Sequence, residues 1–141
     1  MVLNSNLNVV GSSTSTIKNL NTVVEYLSGF PGSGDETPCL KAVESGIYIK
    51  KTGIYLIIIR FAFSGCENNQ LTYGHRSFVS NDNYADSLDY DYCTHSKDFN
   101  RTQIRIGKIE AGRYIRPLVG GSVNTGRCTA ANITILSVKS D

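Results

Sequence analysis

Residues 81–100 gather five aspartates (Asp82, Asp86, Asp89, Asp91, Asp98), three tyrosines (Tyr84, Tyr90, Tyr92), Cys93 and His95. Two chemistries suit that mixture. Tyrosine rings stack on the apolar faces of sugars, while carboxylates and amides hold paired hydroxyls. Tyr84, Asp86, Asp89, Tyr90, Asp91 and Tyr92 are therefore a candidate ligand-binding set. Asp86, Asp89 and Asp91 also offer the oxygens that a hard cation such as Ca²⁺ requires, although the glycine and closing glutamate of an EF-hand loop are missing. The plain alternative is a solvated polar loop. Binding concentrates on loops carried by a rigid scaffold, so the segment is read as a loop.

Catalytic patterns do not appear. The chain contains no Gly-x-Ser-x-Gly elbow, phosphate loop or His-Glu-x-x-His. Cys93 and His95 make one Cys-x-His, which defines neither a metal site nor a nucleophile pair, and His75 falls on or beside an expected strand. Cys39, Cys66, Cys93 and Cys128 include no closely spaced pair, which argues against a zinc knuckle or a redox motif. Four cysteines allow several pairings and the spacing chooses none; a Cys66–Cys93 bridge is one of them. The expectation is a protein that is not an enzyme and needs no resident cofactor. Asn100-Arg101-Thr102 and Asn132-Ile133-Thr134 are formal glycosylation sequons, read as meaningless for a bacterial or viral source.

The elements that must carry these residues belong to one domain with a short appendage. The chain has 141 residues, with 13 Gly, 8 Tyr, 5 Phe and no Trp, a composition suited to short strands joined by turns. Net charge is +2 and no basic block exists, which gives no electrostatic case for nucleic acid. The longest apolar run ends at Arg60, short of the roughly 20 residues a membrane helix needs. The residues from Met1 to Asn6 lack the basic start and apolar core of a secretory signal.

One segment dominates the hydrophobic pattern. From Gly53 onward, Tyr55, Ile57, Ile59, Phe61 and Phe63 form one face of a strand, and Ile54, Leu56, Ile58, Arg60 and Ala62 form the other. A strand with one wet face alternates apolar with polar residues. Here both faces are apolar, so both are expected to meet protein, the second one in another subunit. Arg60 is the exception. A charge on such a strand needs a partner or a solvated channel, with Glu110 or an anion as candidates.

Toward the N-terminus, Thr14 or Ser15 is suited to cap a helix starting near Thr16, with Ile17, Leu20, Val24 and Leu27 at a/d spacing. Gly29, Pro31 and Gly32 stop it. This helix is either an amphipathic helix lying on its own domain or a neck on a stalk. The expected division is therefore a neck over 1–30, a linker over 31–38 and a head over 39–141. In the head, strands are expected at Leu40–Val43, Gly46–Ile49, 54–63, 71–79, 103–109, 114–119 and 130–138. Ile104 and Ile106 share one side of their strand, Gln103 and Arg105 the other. Pro117 marks an edge or bulged strand. The total points to an all-β sandwich or jelly roll.

Thr52-Gly53-Ile54-Tyr55-Leu56-Ile57, then Ile109-Glu110-Ala111-Gly112-Arg113-Tyr114-Ile115, a glycine-rich loop at 120–126, and a final Ile133-Thr134-Ile135-Leu136-Ser137-Val138 carry a resemblance. Together they resemble the jelly-roll superfamily of tumour necrosis factor (TNF) and the heads of complement component q. They look most like the bacterial and phage versions that cap fibres, spore filaments and tail spikes. The match covers 40–138. Arg113 stands where that pattern usually has Asp, which removes one carboxylate from the turn. The resemblance implies a homotrimer with the Gly-Ile-Tyr strand and the last strand near the three-fold axis. Tyr55, Ile57, Ile59, Arg60, Phe61 and Ile135 are then the expected trimer interface. It further implies a fibre-tip head on a virion or extracellular particle that attaches to a host glycan or protein. The alternatives are a capping module that binds nothing and a secreted TNF-like or complement-like ligand for a protein receptor.

Overall fold

The computed structural model describes residues 6–16, 25–26, 35–44, 46–65, 69–78, 84–93, 98–121 and 126–140. β-Branched and aromatic runs separated by glycine turns give strands throughout. They are β1 (Asn6–Thr16), β2 (Glu25–Tyr26), β3 (Leu40–Val43), β4 (Gly46–Ile49), β5 (Gly53–Ser64), β6 (Asn69–Phe78), β7 (Tyr84–Cys93), β8 (Phe99–Ile109), β9 (Tyr114–Gly121) and β10 (Arg127–Ser140). One sheet has the order β1-β10-β5-β8 and the other β3-β4-β9-β6-β7, with β2 also paired to β9. Every pairing among the described residues is antiparallel.

The two sheets close on a core in which β5 is the main contributor. Tyr55, Ile57, Ile59, Phe61 and Phe63 point inward and are buried, meeting Leu71, Tyr73, Ile115, Val119 and residues of β3, β4 and β10. Burying each such side chain contributes about 1.5–3 kcal/mol before ordering costs. At one end, Phe61 and Phe63 meet the Tyr73 ring edge-on at 5.5 and 6.2 Å. Phe99 closes that cluster at 5.3 Å from Phe63.

Three expectations meet a different structure. Residues 81–100, read as a loop, contain β7, which pairs with β6 along its whole length from Tyr84↔Phe78 to Cys93↔Asn69. Aspartate disfavours strands intrinsically, but β7 lies at the end of its sheet, where a polar strand is tolerated. Pro117 is not on an edge strand. β6 pairs with β9 on one side, while β4 covers 114–115 and β2 covers 118–119 on the other. Pro117 falls where one neighbour hands over to the next, so its missing N–H breaks no ladder there. Within 1–30, Asn6–Thr16 is a strand of the head's own sheet, and Ser15, expected as a helix cap, pairs with Cys128 beyond an irregularity at 12–15. The helix positions Ile17, Leu20, Val24 and Leu27 lie outside the described residues.

The turn at Ala111-Gly112 is tied to the start of β5. The Gly112 N–H donates to the Ile49 carbonyl at 2.8 Å and the Ala111 N–H donates to Thr52 Oγ1 at 3.0 Å. Gly112 takes φ of 93°, a left-handed conformation suited to glycine.

Two predictions concern this scaffold. A Cβ at Gly74 would lie 2.0 Å from the Ser87 carbonyl oxygen and 2.7 Å from Gln103 Nε2. Gly74→Ala is expected to cost about 1–3 kcal/mol, measured as a lower urea midpoint with unchanged slope. The second concerns pH. The Tyr55 hydroxyl donates to the Lys51 carbonyl at 2.5 Å, and burial pushes its ionisation far above the ordinary phenol range. Burial also raises Tyr73, reinforced by Asp89 and Asp91. Phenols with raised folded pKa values stabilise the fold fully below their unfolded value of about 10, and that contribution is lost as pH rises toward the folded values. The urea midpoint should decline above pH 10, and Tyr55→Phe should make that decline shallower.

Candidate functional site

Strand β8 decides which surfaces need explaining. Its alternation is unambiguous, but its polarity is the reverse of what a core-facing strand usually shows. Gln103 points inward and is 1% exposed, whereas Ile104 and Ile106 point outward and are 57% and 65% exposed. The outward isoleucines are not isolated. β5 places Ile58 opposite Ile104 and Leu56 opposite Ile106, and β10 places Leu136 on the other side of Leu56. A row Leu136–Leu56–Ile106 therefore crosses three strands, flanked by Ile58, Ile104 and the exposed Ile54. An apolar patch of this continuity marks an interaction surface.

This reassigns the expected interface. Tyr55, Ile57, Ile59, Phe61 and Ile135 are 0–4% exposed within the sandwich and fill its core. Of that set, Arg60 alone lies on the outward face, where it is exposed. It borders a shallow depression of about 380 Å³ with Asn100, Thr102 and Asn132. The outward residues Ile54, Leu56, Ile58, Ile104 and Ile106 are the ones a second copy can reach. β5 does have two apolar faces, as its sequence indicates, but the inward one is the Tyr55–Phe63 set.

The candidate ligand-binding residues all fall on β7. Asp89 and Asp91 turn toward the opposite sheet, where Asp89 pairs with Arg105 and Asp91 with Arg101. Their carboxylates clamp the two sheets together. Arg101 also lies 4.5 Å over the Phe99 ring. Tyr90 sits on the opposite side of the strand and is 65% exposed. Tyr84, Asp86 and Tyr92 share its parity along β7, at register positions opposite Phe78, Arg76 and Gln70. Among the described residues, no group of three His, Cys, Asp or Glu gathers as a metal shell.

Between the clamps lies a buried polar bridge. Gln103 Nε2 donates to the Ser87 carbonyl at 2.8 Å, and its Oε1 lies 2.8 Å from His75 Nδ1. His75 thus serves a cross-sheet hydrogen bond. Cys39 and Cys128 are buried thiols that form no disulfide. Below the bridge the sheets part into a cleft of about 480 Å³ lined by residues of β5, β6, β7, β8, the 110–113 turn and β9. None of this was visible in local motifs. The signal was the mismatch between Gln103 and the two isoleucines beside it.

No family model matches the chain, and no curated protein sequence does. Solved structures do match its shape. The Eiger TNF of S. frugiperda superposes with a TM-score of 0.66 at 11% identity, covering 99% of this chain and 96% of that one. The globular domain of zebrafish complement 1qA gives 0.67 at 10% identity, covering 98% and 99%. The vertex protein P5 of PRD1 gives 0.64 at 10% identity, again covering 98% and 99%. The chain has the TNF/C1q-like jelly-roll fold.

The bridge and the clamps are expected to differ in weight. Asp89→Asn removes a half-exposed ion pair and should cost less than about 1 kcal/mol. Gln103→Leu leaves the Ser87 carbonyl and the His75 ring without their buried partner, a loss of about 1–3 kcal/mol. Urea unfolding of the two variants side by side reads the difference.

Proposed function

We propose that this chain is a homotrimeric head domain, assembled through the outward face of the β1-β10-β5-β8 sheet, that attaches a particle to a host surface. The observation that carries the assembly is the exposure of Ile104 and Ile106 beside Leu56, Ile58 and Ile54 on a rigid sheet. Covering several such side chains is worth about 1.5–3 kcal/mol each, enough to offset the cost of association. TNF/C1q-like domains typically form homotrimers and are typically not enzymes, which supports the reading. Attachment draws on the resemblance to fibre-capping heads and on the likeness to the PRD1 vertex protein. The exposed Tyr90 on edge strand β7 offers a ring for a glycan, with Tyr84 and Tyr92 at the same strand parity.

Light scattering behind size exclusion tests the assembly. A mass near three times 15.4 kDa is expected. Ile104→Lys combined with Ile106→Lys should yield a folded monomer with an unchanged circular dichroism spectrum, because both side chains lie outside the core. A monomeric parent chain would overturn the proposal. For attachment, replacing Tyr84, Tyr90 and Tyr92 with Ala should abolish glycan-array binding while the trimer mass is retained. Undiminished binding would remove β7 from the contact.

A further inference from the structure

The cleft below the Gln103 bridge has features that neither trimer assembly nor glycan stacking uses. Its floor is apolar, formed by Ile57, Ile109 and Ile115. Its rim carries Arg105 and Arg113 with the carboxylate of Glu110, and Lys108 borders it from the outward parity of β8, opposite Ile54. Arg105 is already paired to Asp89, but Arg113 meets Glu110 only at 4.0 Å. The Arg113 guanidinium therefore keeps donors for a ligand. Ser77 also lines the cleft, and its buried hydroxyl has no hydrogen-bond partner in the structure.

Gly107 is the reason the cleft is open. It shares the inward parity of Gln103, Arg105 and Ile109 on β8, so a side chain there would project between the sheets. A Cβ added at Gly107 meets nothing within 4 Å. Its backbone does not require glycine, since it has no positive φ. Glycine inside a strand weakens it and often marks a place where a ligand approaches closely.

We infer that this cleft is a binding site for a small amphiphilic carboxylate, with its apolar body on Ile57, Ile109 and Ile115 and its carboxylate at Arg113. The volume falls in the ordinary range for small-molecule sites. Aliphatic walls without a tyrosine, phenylalanine or tryptophan ring suit a hydrocarbon chain better than a sugar face. The carboxylate's oxygens accept from the Arg113 guanidinium in a charge-assisted contact. The floor of the site lies between the sheets and the apolar patch outside them, the two sharing Ile106 at the rim.

The test is a titration of the full chain, with isoleucine methyls labelled, by octanoate, 1-octanol and glucuronate in parallel. Octanoate should give saturable shifts at Ile57, Ile109 and Ile115 and leave Ile133 unmoved. It should bind about tenfold more tightly than octanol, as expected for a hydrogen bond to a charged group. Arg113→Gln should remove that tenfold advantage and leave octanol unchanged. Gly107→Leu should abolish binding of both while the light-scattering mass stays that of the parent. Octanol binding as tightly as octanoate would overturn the carboxylate assignment. Preference for glucuronate would replace the aliphatic ligand with a sugar acid. Octanoate shifts confined to Ile104 and Ile106, or no shifts, would overturn the site itself. The wild-type shift map decides these outcomes even if the Gly107 variant fails to fold.

Discussion

The inverted polarity of β8 is the constraint on which the rest of the molecule depends. A two-layer sandwich normally holds its edges with apolar side chains. Here the inward positions of the edge strand are Arg101, Gln103, Arg105 and Gly107 between Phe99 and Ile109. Apolar packing cannot join the sheets there. Gln103 bridges to β6 and β7, and two arginines pair with aspartates of β7. The same inversion sends Ile104 and Ile106 outward, where water is a poor neighbour for them. It also leaves the gap at Gly107. A cross-sheet polar seam, an outward apolar face and an inter-sheet cleft are three consequences of one alternation pattern.

The polar seam is a local weak point in energetic terms and a strong one in specificity. Buried polar networks stabilise only when every member is satisfied. Gln103 uses its amide nitrogen and its oxygen, and Gly74 clears the space that lets β6 and β7 approach it. The arginine pairs are half-exposed, so they fix the relation of the two sheet edges more than they add stability. Asp89 and Asp91, which look like part of a binding loop in sequence, hold the two sheet edges in register.

Much of the fold was legible. The Gly-Ile-Tyr strand, the Glu110-Ala111-Gly112 turn and the closing strand are local patterns; strand number and spacing pointed to a sandwich or jelly roll, and the resemblance carried by those motifs chose the jelly roll. Fold neighbours superpose over nearly the whole chain at 10–11% identity. The face assignment on β5 was legible too, from a residue read for another purpose. Arg60 shares its parity with Ile54, Leu56 and Ile58, and a charge belongs outside the core. β7 was not legible, because its aspartates argue against a strand locally and their arginine partners lie on β8. No local pattern reports a pairing between two sheet edges.

The outward face of β8 is where the account is most exposed to contradiction. The direct measurement is relaxation of isoleucine methyl signals by a soluble paramagnetic agent, recorded over a dilution series. The account predicts that Ile104 and Ile106 are shielded at high protein concentration and become accessible on dilution, while Ile133 stays shielded throughout. Ile104 and Ile106 fully accessible at every concentration would show that nothing covers the face. Shielding that persists into the monomer would show that β8 turns them inward, and the polarity inversion would be wrong.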